Sequence, residues 1–259
     1  MDVSFNFKNK KVIITGAAGT LGSWICKSFH DAGADIWMVD INESKVLEIS
    51  KELKGNNQVR ISSFDLTEEA SIHSFFEQIK NEWGYADFLI NNAGIYPGSK
   101  LLSIDLGLWD KVMNLNIRVP FLMIRSFSDL LIDVKKTGSV VNIISKSAKT
   151  PRVGAVHYAM SKASLEMMTR GLGMELAEHN IRINAVSPGF APGSETSRLS
   201  ENYIDEMNKK IPLGRTSGPY DAPNTILFLC SQAANFITGT SIYVDGGNSA
   251  GDFNIPISN

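Results

Sequence analysis

The chain has 259 residues, 43% of them hydrophobic and 20% charged, which is enough apolar material for one large or two small globular domains. A formal net charge of -2 leaves no basic footprint for nucleic acid or an anionic membrane. The opening MDVSFNFKNK carries no apolar run of signal-peptide length, and no stretch approaches the ~18 apolar residues of a spanning helix, so the expected location is the cytoplasm.

Read in chain order, KVIIT (11–15) is a short β-branched strand that runs into the glycine-rich TGAAGTLG and then a helical pattern over 21–32. DIWMV (35–39), ending at Asp40, and QVRISSF (58–64), ending at Asp65 and Leu66, are the next strands. Thr67 is a plausible cap for a helix over 68–83, and FLIN (88–91) leads into Asn92, Ala93 and Gly94. A long helix is expected over 110–132, then SVVNII (139–144), a helix over 158–178, RINAV (182–186), a helix over 221–231 and SIYV (241–244). Several of these strands are apolar without alternation, as strands buried on both faces should be. Strand and helix alternating seven times imply one doubly wound, Rossmann-type α/β domain over 1–259, with a parallel sheet of about seven strands.

The segment 188–212, rich in Gly, Pro and Ser with a helical patch near 198–210, is the one long interruption and is expected to form a substrate lid near 190–212. Cys26 and Cys230 lie far apart inside helix-like apolar segments and read as buried free thiols. His30, His73, His157 and His179 show no ligand spacing, so no metal site is expected. Asn42-Glu43-Ser44 matches a glycosylation sequon that a cytoplasmic chain would not use.

Chemistry concentrates in YAMSK and the strand before it. Tyr158 and Lys162, four positions apart on a helix, share a face, so an ammonium can stand beside a phenol. A free phenol has a pKa of about 10, and a nearby cation would favour phenolate and lower it toward useful acid–base chemistry. Such pairs also arise by chance in helices. Ser145, just past SVVNII, adds an exposed hydroxyl that could hydrogen-bond a substrate oxygen.

With Ser145, Tyr158 and Lys162 in place, the chain resembles the short-chain dehydrogenase/reductases, in particular their single-domain subfamily of about this length. The resemblance runs from KVIITG (11–16) through NNAG (91–94), WDKVMNLNIRVPF (109–121), NAVSPG (184–189), IPLGR (211–215) and LFL (227–229) to YVDGG (243–247). It implies an NAD(P)-dependent oxidoreductase that passes hydride between nicotinamide and a secondary alcohol or ketone. By the same resemblance Tyr158 is the general acid/base, Lys162 its partner and a donor to the nicotinamide ribose, and Ser145 the group that orients the substrate oxygen. Asn116 matches the fourth member, a proton-relay residue, with Asn114 its competitor for that place and Val119 standing where the family has glycine.

Cofactor residues follow in part from physics and in part from the resemblance. The helix beginning near Leu21 points its amino terminus at the turn formed by Gly16, Gly19 and Thr20, where unpaired N–H groups suit a pyrophosphate. The family usually shows T-G-x-x-x-G-x-G, with glycine where this chain has Thr20. Asp40 can accept from ribose hydroxyls and would repel a 2′-phosphate, so NAD is expected over NADP; the alternative is a strand-end carboxylate or a cap for the next helix. The resemblance adds Asp65 and Leu66 beside the adenine, Asn92, Ala93 and Gly94 along the cofactor or under the sheet, and Pro188 and Gly189 near the nicotinamide.

Substrate-facing groups are expected at Tyr96, at His157, in the lid and in KSAKTPR, where Lys146, Lys149 and Arg152 form either a cationic rim for an anionic substrate or a solvated loop. In the lid Gly193 takes the place of the family's threonine in P-G-x-x-x-T, with Ser194 or Thr196 as substitutes. The resemblance also implies a homo-oligomer, tetramer or dimer, through the helices at 110–132 and 158–178, where Met167, Met168, Leu172 and Leu176 form a stripe that is either interface or core. Two alternatives remain open: an NADPH-dependent reductase of a sugar or carrier-bound keto intermediate, and a non-catalytic dinucleotide-binding sensor or scaffold.

Overall fold

The computed structural model describes residues 5–192 and 200–253. Seven strands, β1 (Lys11–Thr15), β2 (Asp35–Val39), β3 (Val59–Ser62), β4 (Phe88–Asn91), β5 (Gly138–Ile143), β6 (Ile181–Pro188) and β7 (Ser241–Val244), form one parallel sheet in the order β3-β2-β1-β4-β5-β6-β7. Within a strand, neighbours face opposite cores: Val12 and Ile14 join one apolar cluster while Ile13 joins the other, and Ile36 and Met38 alternate with Trp37 and Val39 in the same way. That double burial explains strands with no polar alternation.

Helices α1 (Thr20–Asp31), α2 (Glu43–Glu52) and α8 (Asp221–Cys230) cover the first cluster through Ile25, Phe29, Val46 and Ile226. Helices α3 (Glu69–Trp83), α5 (Val119–Asp133) and α6 (Val156–Glu175) cover the second through Ile72, Phe75, Met123, Phe127 and the half-buried Leu172. The chain leaves β1 toward β2 and β3, then returns to place β4 on the other side of β1. The carboxyl ends of β1 and β4 therefore bound the crevice where doubly wound sheets take ligands.

Two expectations, the cap at Thr67 and the unbroken helix over 110–132, need correction, and two other segments gain detail. Thr67 does not cap α3: the cap position is Glu68, and the Thr67 hydroxyl instead donates to Asp65 Oδ1 at 2.7 Å. Asn42, noticed only as a sequon, caps the short α2 that no expected helix covered, its Oδ1 accepting from Lys45 N at 3.1 Å. The long helix over 110–132 is α4 (Leu106–Met113) and α5 separated by a π turn, Asn114–Arg118, in which Val119 N donates to Asn114 O five residues back. Pro120 has no N–H to offer the Asn116 carbonyl four residues earlier, which is where an α-helix would open. In the lid the helix is α7 (Glu201–Asn208), while Gly193, Ser194 and Thr196 lie outside the described residues.

Cys26 and Cys230 are both buried and free, and burial pushes both thiols up, Cys230 to about 12. Among the described residues, no helix is long and apolar enough to cross a membrane.

Candidate active site

At the end of β1 the chain turns through Gly16 at φ +66°, a left-handed conformation that favours glycine. A side chain there would also strike Ala93 Cα at 2.8 Å. Gly22, in the first turn of α1, is fixed by packing, because an added Cβ would overlap the Gly16 carbonyl. Gly19 differs from both. It caps α1 in an ordinary extended conformation, and a Cβ would meet only Gly16 O at 3.5 Å. The protein itself has no need of glycine at 19, so the open space above it fits close approach by a pyrophosphate, toward which the side-chain-uncapped amino terminus of α1 is directed. Thr20 opens α1 beside this gap, and Leu21 packs against the first core.

Asp40 is held by two backbone donors, Ala18 N to Oδ2 at 2.9 Å and Asn42 N to Oδ1 at 3.0 Å. It thus ties the glycine turn to the end of β2 and starts the approach to α2, as the strand-end alternative required. Each oxygen keeps further acceptor capacity. Asp65 accepts from Thr67 N at 2.8 Å, and those Thr67 bonds hold its carboxyl below the usual range. Leu66 is buried in the second core.

Past β4, Asn92 Nδ2 donates to the carbonyls of Thr15 (3.1 Å) and Gly16 (2.9 Å), and Thr15 Oγ1 accepts from both Asn92 N and Ala93 N at 3.1 Å. These bonds lace β4 to the turn. At Gly94 a Cβ would lie 3.1 Å from Asn116 Oδ1 and 3.5 Å from Lys162 Nζ, so the loop after β4 runs directly against these two side chains. On the far side Pro188 ends β6, and a Cβ at Gly189 would meet Asp245 Cα at 3.1 Å.

Asn116, fully buried in the π turn, accepts from Ile95 N (2.9 Å) and donates to Ile95 O (2.9 Å) and Ser161 Oγ (3.0 Å). Ser161 in turn donates to Tyr158 O at 2.7 Å, binding the π turn to α6. Asn114 does not share this place; its Oδ1 is buried without a partner among the described residues.

Ser145 accepts from Ser147 N at 3.1 Å, which leaves its O–H free to face the Tyr158 hydroxyl, whose pKa it helps to pull down. Lys162 is buried one helical turn further on, with Nζ donating to Ile143 O at 2.8 Å and lying 5.9 Å from the centre of the Tyr158 ring. Burial pulls its ammonium down to about 8.

The phenol departs from expectation. Burial pushes Tyr158 above its ordinary value; Tyr96 adds to the rise, while the Ser145 bond and the Arg152 charge pull it back. Lys162, whose Nζ donates to Ile143 O, does not offset that rise.

Of the expected substrate-facing groups, Tyr96 packs edge-on against Tyr158 with centroids 6.1 Å apart. His157 does not face the site: it is buried, with Nε2 2.8 Å from Pro97 O. Lys149 leaves the expected rim to lie over the Tyr243 ring at 3.8 Å, and Tyr243 donates to Glu166 at 3.1 Å. The α6 stripe also divides: Met168, Leu172 and Leu176 pack on the second core, and Met167 is exposed.

Comparison with known proteins agrees with this arrangement. A family model described as enoyl-(acyl carrier protein) reductase matches residues 16–249. A short-chain type dehydrogenase/reductase from Mycobacterium marinum superimposes with a TM-score of 0.90 at 27% identity, over 96% of this chain and 98% of that one. The chain belongs to the short-chain dehydrogenase/reductase family. Among short-chain dehydrogenase/reductases it is similar to a 3-oxoacyl-[acyl-carrier-protein] reductase of Aquifex aeolicus, 33% identical over 95% of this chain and 99% of the relative. It is also similar to a 2,3-dihydro-2,3-dihydroxybenzoate dehydrogenase of Bacillus subtilis, 32% identical over 94% of this chain and 97% of the relative. As a short-chain dehydrogenase/reductase it is an NAD(P)-dependent oxidoreductase of CH–OH and keto groups.

Sequence reasoning missed Ser161 and Pro120. Ser161 was visible only as an unremarked letter of YAMSK, and Pro120 carried a signal, a helix-breaking residue inside a helical pattern, that could have located the π turn.

Proposed function

We propose that the chain reduces the keto group of a 3-oxoacyl chain held on a carrier, and oxidises the corresponding secondary alcohol in reverse. The observation that carries the chemistry is the buried Tyr158 phenol with Ser145 acting on it and Lys162 Nζ 5.9 Å from its ring centre. The 3-oxoacyl substrate is supported by the similarity to 3-oxoacyl-[acyl-carrier-protein] reductases.

In the reductive direction the Tyr158 hydroxyl donates its proton to the carbonyl oxygen as negative charge develops there, and the Ser145 hydroxyl holds the same oxygen. A bound nicotinamide dinucleotide supplies the hydride or receives it. Its pyrophosphate would rest at Gly16, Gly19 and Thr20 and its adenine beside Asp65 and Leu66. Lys162 would hold the nicotinamide ribose and stabilise the phenolate left on Tyr158. Asn116, with Ser161, fixes the π turn beneath them; its side-chain amide is taken up by Ile95 and Ser161, so its part in a proton relay falls to the carbonyl that Pro120 leaves without an N–H.

For the dinucleotide, Asp40 supports NAD over NADP, since a carboxylate fixed at the end of β2 repels a 2′-phosphate. Reduction of acetoacetyl-coenzyme A, followed by loss of reduced-nicotinamide absorbance with NADH and with NADPH, tests both parts. No turnover of the thioester removes the substrate, and equal efficiency with NADPH removes the preference. Self-association is supported by an open apolar groove across the π turn and α6, lined by Met113, Ile117, Phe121 and Met168; light scattering of wild type and Phe121→Asp reads it, and a monomeric wild type removes it.

A further inference from the structure

Ser145 stands at the head of a short helical turn, Lys146–Ala148, whose first free N–H its own hydroxyl caps. The turn leaves the sheet, so its place relative to α6, which carries Tyr158 and Lys162, depends on contacts made by side chains. Two lysines next to Ser145 make such contacts, and both reach the same part of the chain. Lys146 Nζ donates to Asn248 Oδ1 at 2.9 Å, and Asn248 N donates to Asp245 O at 3.2 Å. Lys149 is exposed, yet its ammonium lies over the Tyr243 ring, 3.8 Å from the centre.

Tyr243 belongs to β7 and pairs across the sheet with Ser187 of β6, which fixes its backbone. Its ring packs on a small apolar cluster made by Ile144, the residue before Ser145, with Leu165 of α6 and Ala185 of β6. Its hydroxyl donates to Glu166 Oε2 at 3.1 Å. Glu166 lies one helical turn past Lys162, on the same face of α6 as Tyr158 and Lys162. A buried carboxylate is costly unless donors meet it, and Glu166 is buried, with Arg170 donating to Oε1 at 3.2 Å and Tyr243 to Oε2. Burial and the Glu166 charge push the Tyr243 phenol up to about 12, so it remains a donor at neutral pH. One side chain thus joins the Ser145 turn, the sheet and α6.

We propose that Tyr243 is a positioning residue for the reaction, holding the Ser145 turn at a fixed distance from the helix that carries Tyr158 and Lys162, with Lys149 as its grip on the turn and Glu166 as its grip on α6. This rests on the Ser145, Tyr158 and Lys162 chemistry proposed above, and Tyr243 acts through Ser145 rather than on the substrate. Rates depend steeply on such placement, since a shift of about 1 Å in an orienting group can cost roughly 10²-fold.

Reduction of ethyl acetoacetate and of acetoacetyl-coenzyme A, with the faster of NADH and NADPH, is compared for wild type, Lys149→Met, Tyr243→Phe and Tyr243→Leu, each alone and with Ser145→Ala. Ethyl acetoacetate is neutral, so the charge lost at Lys149 does not enter its binding. Lys149→Met should leave Tm and dinucleotide Kd as in wild type while kcat falls about threefold to tenfold. Tyr243→Leu, which removes both grips, should lose about tenfold or more, with Tyr243→Phe, which keeps the ring, in between. On the residual turnover of Ser145→Ala the same three changes should alter kcat by less than about twofold, because the group they position is gone; general loosening would lower kcat equally in both backgrounds. Wild-type kcat in Lys149→Met, or equal losses with and without Ser145, would overturn the positioning role and leave the keto-reductase reading intact. A Ser145→Ala protein as active as wild type, or a wild type inactive on both ketones, would overturn that reading and the positioning role with it.

Discussion

Around the β1–α1 turn the site is shaped by backbone and by side chains that are absent, whereas across β5, the π turn and α6 it is shaped by buried polar side chains that satisfy one another. Gly16, Gly19 and Gly22 each lack a side chain for a different reason: a left-handed φ, open space above a helix terminus, and contact with a carbonyl. Tyr158, Ser161 and Asn116 are joined by hydrogen bonds that reach Ile95, and beside them the buried Lys162 donates to Ile143 O. The first kind of site tolerates little added volume. The second tolerates little loss of polarity, because an unpaired buried group costs about 1–3 kcal/mol.

The largest effect should come from the polar half. Tyr158→Phe keeps the ring and its packing on Tyr96 but removes the proton, and it should lower kcat by roughly 10²–10⁴-fold while dinucleotide binding by calorimetry persists. Near-normal turnover would show that the phenol is not the acid.

Next is Lys162. Its ordinary value of 10.5 falls to about 8 by burial, a difference on the order of 3 kcal/mol. Below pH 8 the folded protein carries the full penalty of the buried charge; between 8 and 10.5 the unfolded chain holds a proton that the folded one has released, so this contribution to stability rises with pH. The stability of Lys162→Met relative to wild type, from urea unfolding, should therefore decline by about that amount between pH 7 and 10.5. A gap independent of pH would mean that the ammonium is not penalised by burial.

The glycine half gives smaller and separable effects. Gly22→Ala forces a methyl onto the Gly16 carbonyl and should cost about 1–3 kcal/mol of stability, read as a lower Tm. Gly19→Ala meets nothing closer than 3.5 Å within the protein, so its stability should stay within about 0.5 kcal/mol of wild type. Its dinucleotide Kd should rise about tenfold, equivalent to ~1.4 kcal/mol. If Gly19→Ala binds as tightly as wild type, the open space there is not where the pyrophosphate lies, and the contrast between the two glycines fails.

Much of this architecture was legible because it is local. Strands β1, β2, β4 and β7 fall where short β-branched runs stand, since burial on both faces demands apolar residues at every position. The order of Ser145, Tyr158 and Lys162 along the chain, and the glycines of the turn, were equally plain. The π turn was less so: its cause, Pro120, is local, but the demand it answers, a buried amide facing Ile95 and Ser161, comes from elements far apart in sequence.

The sequence by itself determined the sheet, the family and the residue types at the candidate site, because periodicity and side-chain chemistry are written residue by residue. Only the tertiary structure decided that Tyr158 is pushed up rather than down, that His157 turns to Pro97, and that Lys149 turns to the Tyr243 ring. Those outcomes depend on burial and on charges brought together from distant parts of the chain, and Coulomb interactions and desolvation follow distance in space, not spacing in sequence.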